Sequence, residues 1–284
     1  MTEPQPLLSM RLSVDYPEKP GVLRDLSLEL RRGEVLGLVG QSGCGKSTLA
    51  LAILKLLYLR RARAKGSILF NGREMMALKE REMRALRGKE IALVLQSPMS
   101  SLNPALRIGA QLEEAWRIHR RSSREETVRS VLETMEEVSL PAERDFLRRY
   151  PAQLSVGQAQ RVLIGMAVLH RPPLLIADEP TSALDIVTQS EVLQLFSALS
   201  RKLGMGILYI SHDLLSVATI SHRVAVMHRG EIVECRNTAD LFCSPSHAYT
   251  RQLISSLPTV PRFAVSEGYA ARQLAVISAG RSNR

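Results

Sequence analysis

Residues 35–48 read VLGLVGQSGCGKST, and this stretch decides the fold class. Its first five residues are apolar and predict a buried strand, while Gly40 to Ser47 fits the pattern G-x-x-x-x-G-K-[ST]. Glycines at such a turn let backbone N–H groups point at phosphates, and the N-terminus of the following helix adds a positive dipole. We expect Lys46 to reach the β- and γ-phosphates and Ser47 to bind Mg²⁺. The stretch therefore predicts a nucleoside triphosphate site without specifying the reaction.

A second apolar run ends in two carboxylates. Residues 174–179 read LLIADE, so Asp178 and Glu179 follow a buried strand predicted over 174–177. An Asp in that position holds Mg²⁺ through its water shell, and a Glu one residue further on can polarise an attacking water as a general base. Joined to the phosphate loop, the pair favours a catalytic site over a solvated turn.

Strands and helices alternate along most of the chain. Apolar runs predict further strands at 23–30, 67–70, 91–95, 206–210, 224–227 and 231–234. Helical spacing predicts one helix over 47–57 and another over 188–203 that is closed by Gly204. A Glu- and Arg-rich stretch at 107–149 predicts an inserted helical subdomain. This order predicts an α/β fold of the P-loop NTPase type, with a mainly parallel sheet core and an N-terminal antiparallel β part.

Composition limits the class of protein. The chain has 284 residues, 45% hydrophobic and 23% charged, which is typical of a globular protein. Its three cysteines form no CxxC pair, which favours a reducing compartment, and we expect neither a leader segment nor a membrane span. The formal net charge is +10, and residues 55–90 carry eleven Lys or Arg against four Glu. A solvated basic face is the simpler interpretation, and a surface facing the membrane or a partner is the alternative.

Residues 154–161, LSVGQAQR, resemble the signature motif of ABC-type ATPases, which is usually LSGGQ followed by xQR. Other segments resemble that family in the same order along the chain. Gln96 follows the strand at 91–95 as the Q-loop glutamine does, residues 182–185 (SALD) look like the D-loop, and His212 looks like the switch histidine. Tyr16 lies where the family places an aromatic that stacks on adenine. The resemblance covers most of the chain and implies ATP and Mg²⁺ as cofactors.

The phosphate loop and the resemblance together imply overlapping sets of site residues. The implied nucleotide-binding residues are Tyr16, Gly40, Gln41, Ser42, Gly43, Cys44, Gly45, Lys46, Ser47, Thr48, Gln96, Ser155, Gly157, Gln158, Asp178 and Asp185. The implied catalytic residues are Lys46, Gln96, Glu179 and His212, and the implied Mg²⁺ ligands are Ser47, Gln96 and Asp178. In this family two such domains close head to tail over two ATP molecules. The resemblance therefore implies that Ser155 and Gly157 contact an ATP held by the partner and that Asp185 couples the two sites.

Three further segments resemble the dipeptide, oligopeptide and nickel importer branch. They are 96–104 (QSPMSSLNP), 150–153 (YPAQ) and 246–253 (SHAYTRQL), the last being similar to that branch's C-terminal HPYTxxL segment. The branch implies a peripheral ATPase subunit on the cytoplasmic face of the inner membrane. Its implied partners are two transmembrane permease subunits, an extracytoplasmic solute-binding protein and a second ATPase subunit, for which a sister chain is favoured over a second copy. No nucleic acid partner is expected.

The predicted domain organisation follows the motifs. Residues 1–96 form the first part of the ATP-binding core, 97–153 the helical subdomain, 154–257 the second part of the core, and 258–284 a C-terminal tail. The tail shows no strong periodicity, so a disordered segment is the simpler expectation. Contact with a membrane subunit or a regulator is the alternative.

Val156 departs from the family pattern, because that position is usually glycine and valine lacks access to positive φ. One hypothesis is that Val156 is tolerated if its backbone stays in the helical or β region, and we favour it. The opposing hypothesis is a weakened partner ATP site.

Two other functions stay open. A soluble ABC ATPase acting on nucleic acid is supported by the charge, and a nucleotide-gated regulator without turnover is opposed by the presence of Glu179 and His212.

Overall fold

The computed structural model describes residues 5–257, so the predicted tail at 258–284 lies outside the described residues. The strands are β1 (Leu8–Tyr16), β2 (Lys19–Leu30), β3 (Val35–Val39), β4 (Arg63–Phe70), β5 (Arg73–Glu74), β6 (Ile91–Val94), β7 (Leu174–Asp178), β8 (Gly206–Ser211), β9 (Arg223–His228) and β10 (Glu231–Asn237). The helices are α1 (Lys46–Ile53), α2 (Glu80–Leu86), α3 (Pro98–Ser101), α4 (Ile108–Arg117), α5 (Arg124–Glu137), α6 (Arg144–Leu147), α7 (Val156–Val168), α8 (Ile186–Leu203), α9 (Leu214–Ile220), α10 (Thr238–Cys243) and α11 (Ala248–Ser255). Within residues 5–257, every helix is too short or too polar to span a bilayer.

The described residues fall into two compact units. One unit runs up to Leu78 and resumes at Gly206, and the other is Lys79–Met205. The second unit therefore contains the predicted helical subdomain together with β6, β7, α7 and α8. The domain boundaries at residues 96, 153 and 257 followed the motifs rather than the packing, and they stay a prediction.

An antiparallel sheet in the first unit has the strand order β2-β1-β4-β5. Alternate residues of β1 are buried, as expected for a strand with one face on a core. The hairpin from β4 to β5 turns at Asn71 and Gly72, whose φ values are 50° and 75°. Two successive positive φ values define the tight hairpin turn that Asn-Gly favours, so the predicted strand and turn are confirmed.

A mainly parallel arrangement of β10, β9, β3 and β8, in that order, completes the first unit. Strand β3 is parallel to both β8 and β9, and β10 is antiparallel to β9. All five residues of β3 are buried, which explains why the strand is a continuous apolar run. Helix α9 lies close against it, since a Cβ at Gly37 would stand 2.3 Å from Val217 Cγ1. This packing fixes the strand from which the phosphate loop departs.

The second unit has the parallel pair β6 and β7 and a group of helices. Helices α4, α5 and α6 occupy most of the stretch predicted as a helical insert. Val131 and Met135 on α5 are buried, as the helical spacing predicts. Helix α8 begins at Ile186, two residues before its predicted start, because the Asp185 side chain caps its first turn. The predicted α/β class is confirmed.

The helix predicted over 47–57 is wrong at its C-terminal end. Helix α1 ends at Ile53, and Leu57–Arg60 forms a separate 3-10 turn. Lys55 has a φ of 52°, which a helix does not permit, and its ammonium donates to the backbone carbonyls of Met76 at 2.7 Å and Leu78 at 2.5 Å. These bonds to a distant segment outweigh the local Leu- and Ala-rich propensity.

Candidate nucleotide-binding site

The phosphate loop connects β3 to α1 as predicted. Gly45 is the N-cap of α1 and has a φ of 115°, and Gly43 has a φ of 78° with open space where a Cβ would stand. Glycine adopts both φ values at little cost in energy, so the turn predicted from the G-x-x-x-x-G-K pattern is present. Gly40 is required for another reason, because a Cβ there would lie 2.3 Å from the Met227 carbonyl oxygen. The start of the loop is thus pressed against the end of β9.

Lys46 is folded back over the loop. Its Nζ donates to the carbonyl oxygen of Gly40 at 2.7 Å and to that of Gln41 at 3.3 Å, and the residue is only 8% exposed. These bonds hold the ammonium against the first two residues of the loop. Burial raises the pKa of the neighbouring Cys44, although the Lys46 charge opposes the shift. Cys44 is therefore a neutral packing group at neutral pH.

Two hydroxyl groups frame the start of α1. Ser47 is exposed, and Thr48 shares a hydrogen bond of 3.1 Å with the hydroxyl of Tyr16. The structure thus brings Tyr16 to the phosphate-loop helix, although it is 32 positions away in the chain. Its role in stacking on adenine stays a prediction.

His212 lies in the turn that follows β8. The residues on either side fix this turn, because the Ser211 hydroxyl accepts from the Asp213 N–H at 3.0 Å. The Asp213 carboxylate in turn caps α9 by accepting N–H groups from Leu215 and Ser216. The result is an exposed imidazole at the carboxyl end of a buried parallel strand.

Three predicted residues lie at the carboxyl ends of the two parallel strands of the second unit, Asp178 being the last residue of β7. In the β6–β7 register Val94 pairs with Ala177, so Gln96 and Asp178 emerge at the same sheet edge. Glu179, the next residue, has a φ of 52° and is half-buried. This conformation is uncommon for a residue other than glycine, and such strain concentrates at functional sites. The turn is closed by the Ser182 hydroxyl, which donates to the Glu179 carbonyl at 3.1 Å.

The signature motif forms the N-terminus of α7. Ser155 is the N-cap, with its hydroxyl accepting the Gln158 N–H at 3.2 Å, and the Gln158 side chain accepts the Ser155 N–H at 3.1 Å. This reciprocal capping box explains the spacing of the two residues by helix formation alone. Val156 is the first helical residue, is 43% exposed and has no positive φ. The backbone condition on which tolerance of Val156 depended is therefore met.

Thr188 lies between Gly157 and Asp185: its methyl group is close to Gly157, and its hydroxyl and N–H groups bond to Asp185. A Cβ at Gly157 would stand 2.6 Å from the Thr188 methyl carbon, so α7 and α8 approach too closely there for a side chain. Asp185 Oδ2 accepts from the Thr188 hydroxyl at 2.7 Å, and its Oδ1 accepts the N–H groups of Val187 and Thr188 at 3.0 Å each. The Thr188 bonds are the main cause that lowers the pKa of Asp185. Sequence reasoning missed the role of Thr188: Asp before a helix is an N-cap signal, but it identifies Asp185 and not the threonine that its carboxylate contacts.

Residues 23–182 match the sequence profile of the ABC transporter family. The chain belongs to this family. This ABC chain is 44% identical over 237 residues to y4tR of Sinorhizobium fredii, a probable peptide ABC transporter ATP-binding protein, covering 83% of the chain and 71% of the relative. It is 43% identical over 242 residues to the glutathione import ATP-binding protein GsiA of Salmonella choleraesuis. That match covers 83% of the chain but 39% of GsiA, so the ABC chain spans about two-fifths of that relative's length.

Solved structures of ABC proteins have the same fold. The dimeric ATP-binding cassette MJ0796, in a post-hydrolysis state bound to ADP and Pi, has a TM-score of 0.71 and 27% identity, covering 81% of this ABC chain and 98% of that chain. cbiO1 from Clostridium perfringens, part of the cbiONQ ABC transporter complex, has a TM-score of 0.75 and 25% identity, covering 90% and 97%. These matches support the P-loop NTPase fold.

Within the ABC chain, the predicted site residues are divided between the two compact units. Tyr16, the phosphate loop and His212 lie in the first, and the Gln96, signature, carboxylate and D-loop residues lie in the second. The structure also adds Tyr249, whose hydroxyl accepts the Gln41 N–H at 3.2 Å. Sequence reasoning used Tyr249 only as part of a branch motif, and no local signal connects it to the loop.

Proposed function

We propose that this chain is the ATP-binding and ATP-hydrolysing subunit of a bacterial ABC importer that takes up peptides, nickel or a similar small solute. The observation that carries the proposal is the ordered set of six motifs, from the phosphate loop to His212, on a chain whose relatives include peptide and glutathione import ATP-binding proteins. The binding proteins and permeases of such systems select the solute, so the solute class rests on these relatives alone.

The residues present fit ATP and Mg²⁺. No side chain projects from the loop at Gly43 or Gly45, and both residues have positive φ. Glycines in this conformation allow backbone N–H groups to turn toward phosphate oxygens. The hydroxyl of Ser47 and the carboxylate of Asp178 are hard oxygen donors of the kind that Mg²⁺ prefers, and Gln96 adds an amide oxygen. When bound, Mg²⁺ supplies charge neutralisation at the phosphates. Lys46 adds a second positive charge from the protein.

Catalysis in this proposal comes from positioning rather than covalent chemistry. Phosphoryl transfer needs an oriented water and stabilised charge, so Glu179 would accept the proton of the attacking water and His212 would orient the reacting groups. The partner's Ser155 and Gly157 positions would complete the site, with the dipole of α7 directed at the γ-phosphate. ATP favours the closed pair, and hydrolysis with product release reopens it. This cycle would drive two permease subunits at the cytoplasmic face of the membrane.

The solution mass of the Glu179→Gln variant, measured with and without Mg-ATP, tests the proposal. The substitution keeps the shape of the side chain but removes the proposed base, so ATP should bind and closed pairs should accumulate. The matched control is Lys46→Ala in the same background, which should stay monomeric because it lacks the phosphate contact. A doubled mass that requires ATP would support closure between two copies.

Other outcomes of this experiment are equally informative. A monomer that binds ATP would indicate that the sister ATPase subunit is missing. Wild-type protein that neither binds nor hydrolyses ATP, or a Glu179→Gln variant that hydrolyses ATP at the wild-type rate, would refute the proposed function. Salt-sensitive DNA binding that stimulates hydrolysis would instead favour an ATPase acting on nucleic acid.

A further inference from the structure

The C-terminal segment 246–253 is anchored to the first unit by a buried carboxylate. Glu234 on β10 is 8% exposed, and its two oxygens accept the N–H groups of Ser246 at 2.8 Å and His247 at 3.0 Å. His247 then caps α11, since its Nδ1 accepts the Tyr249 N–H at 3.2 Å. These three acceptors determine where the first turn of α11 lies.

Anchored in this way, Tyr249 reaches the phosphate loop across 208 positions of sequence. It is 7% exposed, and its ring lies 3.9 Å from that of His228, at an interplanar angle of 30°. Its hydroxyl oxygen accepts the N–H of Gln41 at 3.2 Å. Burial raises the pKa of Tyr249, so the hydroxyl is neutral throughout the physiological pH range.

The Gln41 N–H belongs to the same peptide group as the Gly40 carbonyl. Tyr249 holds the nitrogen end of this group, and Lys46 Nζ donates to its oxygen end at 2.7 Å. Because a peptide group is planar, a rotation that breaks one of these bonds also moves the other end. Gly40 has no Cβ to resist such a rotation, so the orientation depends on these two bonds, and only the one to Tyr249 comes from outside the loop.

We propose that Tyr249 is a positioning residue for ATP binding, which orients the Gly40–Gln41 peptide and thereby the ammonium of Lys46. The proposal rests on the proposed function, because it assigns to the C-terminal segment a role in that same nucleotide site. Loss of the hydroxyl would leave the loop free to sample other peptide orientations. Part of the ATP binding energy would then be spent on ordering the loop.

The Tyr249→Phe variant removes the hydroxyl and keeps the ring against His228. We expect the KM for ATP, and the dissociation constant of a fluorescent ATP analogue, to rise by about threefold to tenfold, which corresponds to one ordinary hydrogen bond. We expect kcat to change by less than about twofold, because Tyr249 contacts no reacting group. The matched control is Tyr58→Phe, since Tyr58 is 57% exposed and its hydroxyl can be removed without disturbing the loop.

A purely structural role for Tyr249 would give a different pattern. The melting temperature would fall, while KM and the dissociation constant would stay at the values of the Tyr58→Phe control, and this result would overturn the proposal. Wild-type protein that fails to bind ATP would refute the proposed function as well. If the wild type and the Tyr249→Phe variant bind ATP with equal affinity, the role of Tyr249 is refuted and the proposed function is not.

Amide hydrogen exchange of the nucleotide-free wild type tests the contact without any substitution. Resolved to single residues, exchange at Gln41 should be slower than at the neighbouring exposed Ser42, because the Gln41 N–H is bonded to a buried hydroxyl. Equal and rapid exchange at the two residues would show that the bond does not persist in solution, and would overturn the proposal even if Tyr249→Phe failed to fold.

Discussion

Replacing Gly157 by alanine should destabilise the protein through a single methyl contact. The new Cβ would stand 2.6 Å from the Thr188 Cγ2, which is about 0.9–1.4 Å short of the ordinary carbon–carbon separation of about 3.5–4.0 Å. Thr188 has little freedom to move, because its hydroxyl donates to Asp185 at 2.7 Å and its N–H donates to the same carboxylate at 3.0 Å. Rotating the methyl away would break the hydroxyl bond, so either the helices separate or the cap is lost.

The expected net effect is modest and measurable. Overpacking costs about 1–3 kcal/mol, and alanine in place of glycine in a helix recovers about 0.5–1 kcal/mol. With about 2 kcal/mol for overpacking and about 0.75 kcal/mol for the recovery, the net loss is about 1 kcal/mol, between extremes of about 0 and 2.5 kcal/mol. A loss of about 1 kcal/mol lowers the melting temperature by ~2–4 °C for a protein of this size.

The Thr188→Ser substitution supplies the decisive control, because it removes the methyl and keeps the hydroxyl. Calorimetric melting of the four proteins in the double-mutant cycle should show Gly157→Ala as destabilising only where Thr188 is unchanged. In the Thr188→Ser background the same change should be neutral or stabilising. Equal destabilisation in both backgrounds would refute the steric explanation of Gly157.

Two further predictions concern the signature helix and the C-terminal anchor. Val156→Gly should leave the ATPase rate within about twofold of wild type, because Val156 lies exposed at the first turn of α7 without positive φ. A variant that hydrolyses ATP clearly faster than wild type would favour the hypothesis of a weakened partner ATP site. Glu234→Gln should destabilise the protein at pH 7 by about 1–3 kcal/mol, as expected for a buried charged acceptor. Burial opposes ionisation of Glu234, but the N–H bonds from Ser246 and His247 lower its pKa overall. The ionised carboxylate therefore stabilises the fold at pH values above the unfolded-state pKa, and this stabilisation is lost as the pH falls through the folded-state pKa. The melting temperatures of the two proteins should therefore converge toward acid pH, and a constant difference would contradict this assignment.

Most of the secondary structure could be predicted from the sequence, because local rules govern it. The apolar run at 35–39 became β3, the Asn71-Gly72 pair became a hairpin turn, and Gly204 closes α8 with a φ of 62°. There were two exceptions: no strand was predicted at 8–16, where β1 forms, and the end of α1 was misplaced. There Lys55 leaves the helix to bond carbonyls more than twenty positions away, and no local propensity carries that information.

The candidate site was predicted in its residue types but not in its mutual contacts. The phosphate-loop pattern identified Lys46 and Ser47 because phosphate binding requires those groups at that spacing. The capping box of Ser155 and Gln158 could have been derived in the same way, since its two residues are three positions apart. Tyr16 against Thr48 could not, because only the packing of β1 beside the loop brings those hydroxyls together.

Sequence alone determined the chemistry that resides within one turn or one strand end: the glycines, the lysine and the carboxylates at 178 and 179. Only the tertiary structure decided what surrounds them, namely the Thr188 methyl that excludes a side chain at Gly157 and the Tyr249 hydroxyl that holds the Gln41 N–H. The physical reason is the separation along the chain over which each kind of interaction acts. Backbone conformation depends on neighbours a few residues away, whereas close approach between distant segments depends on how whole elements pack, and a single methyl or hydroxyl leaves no periodic trace in the sequence.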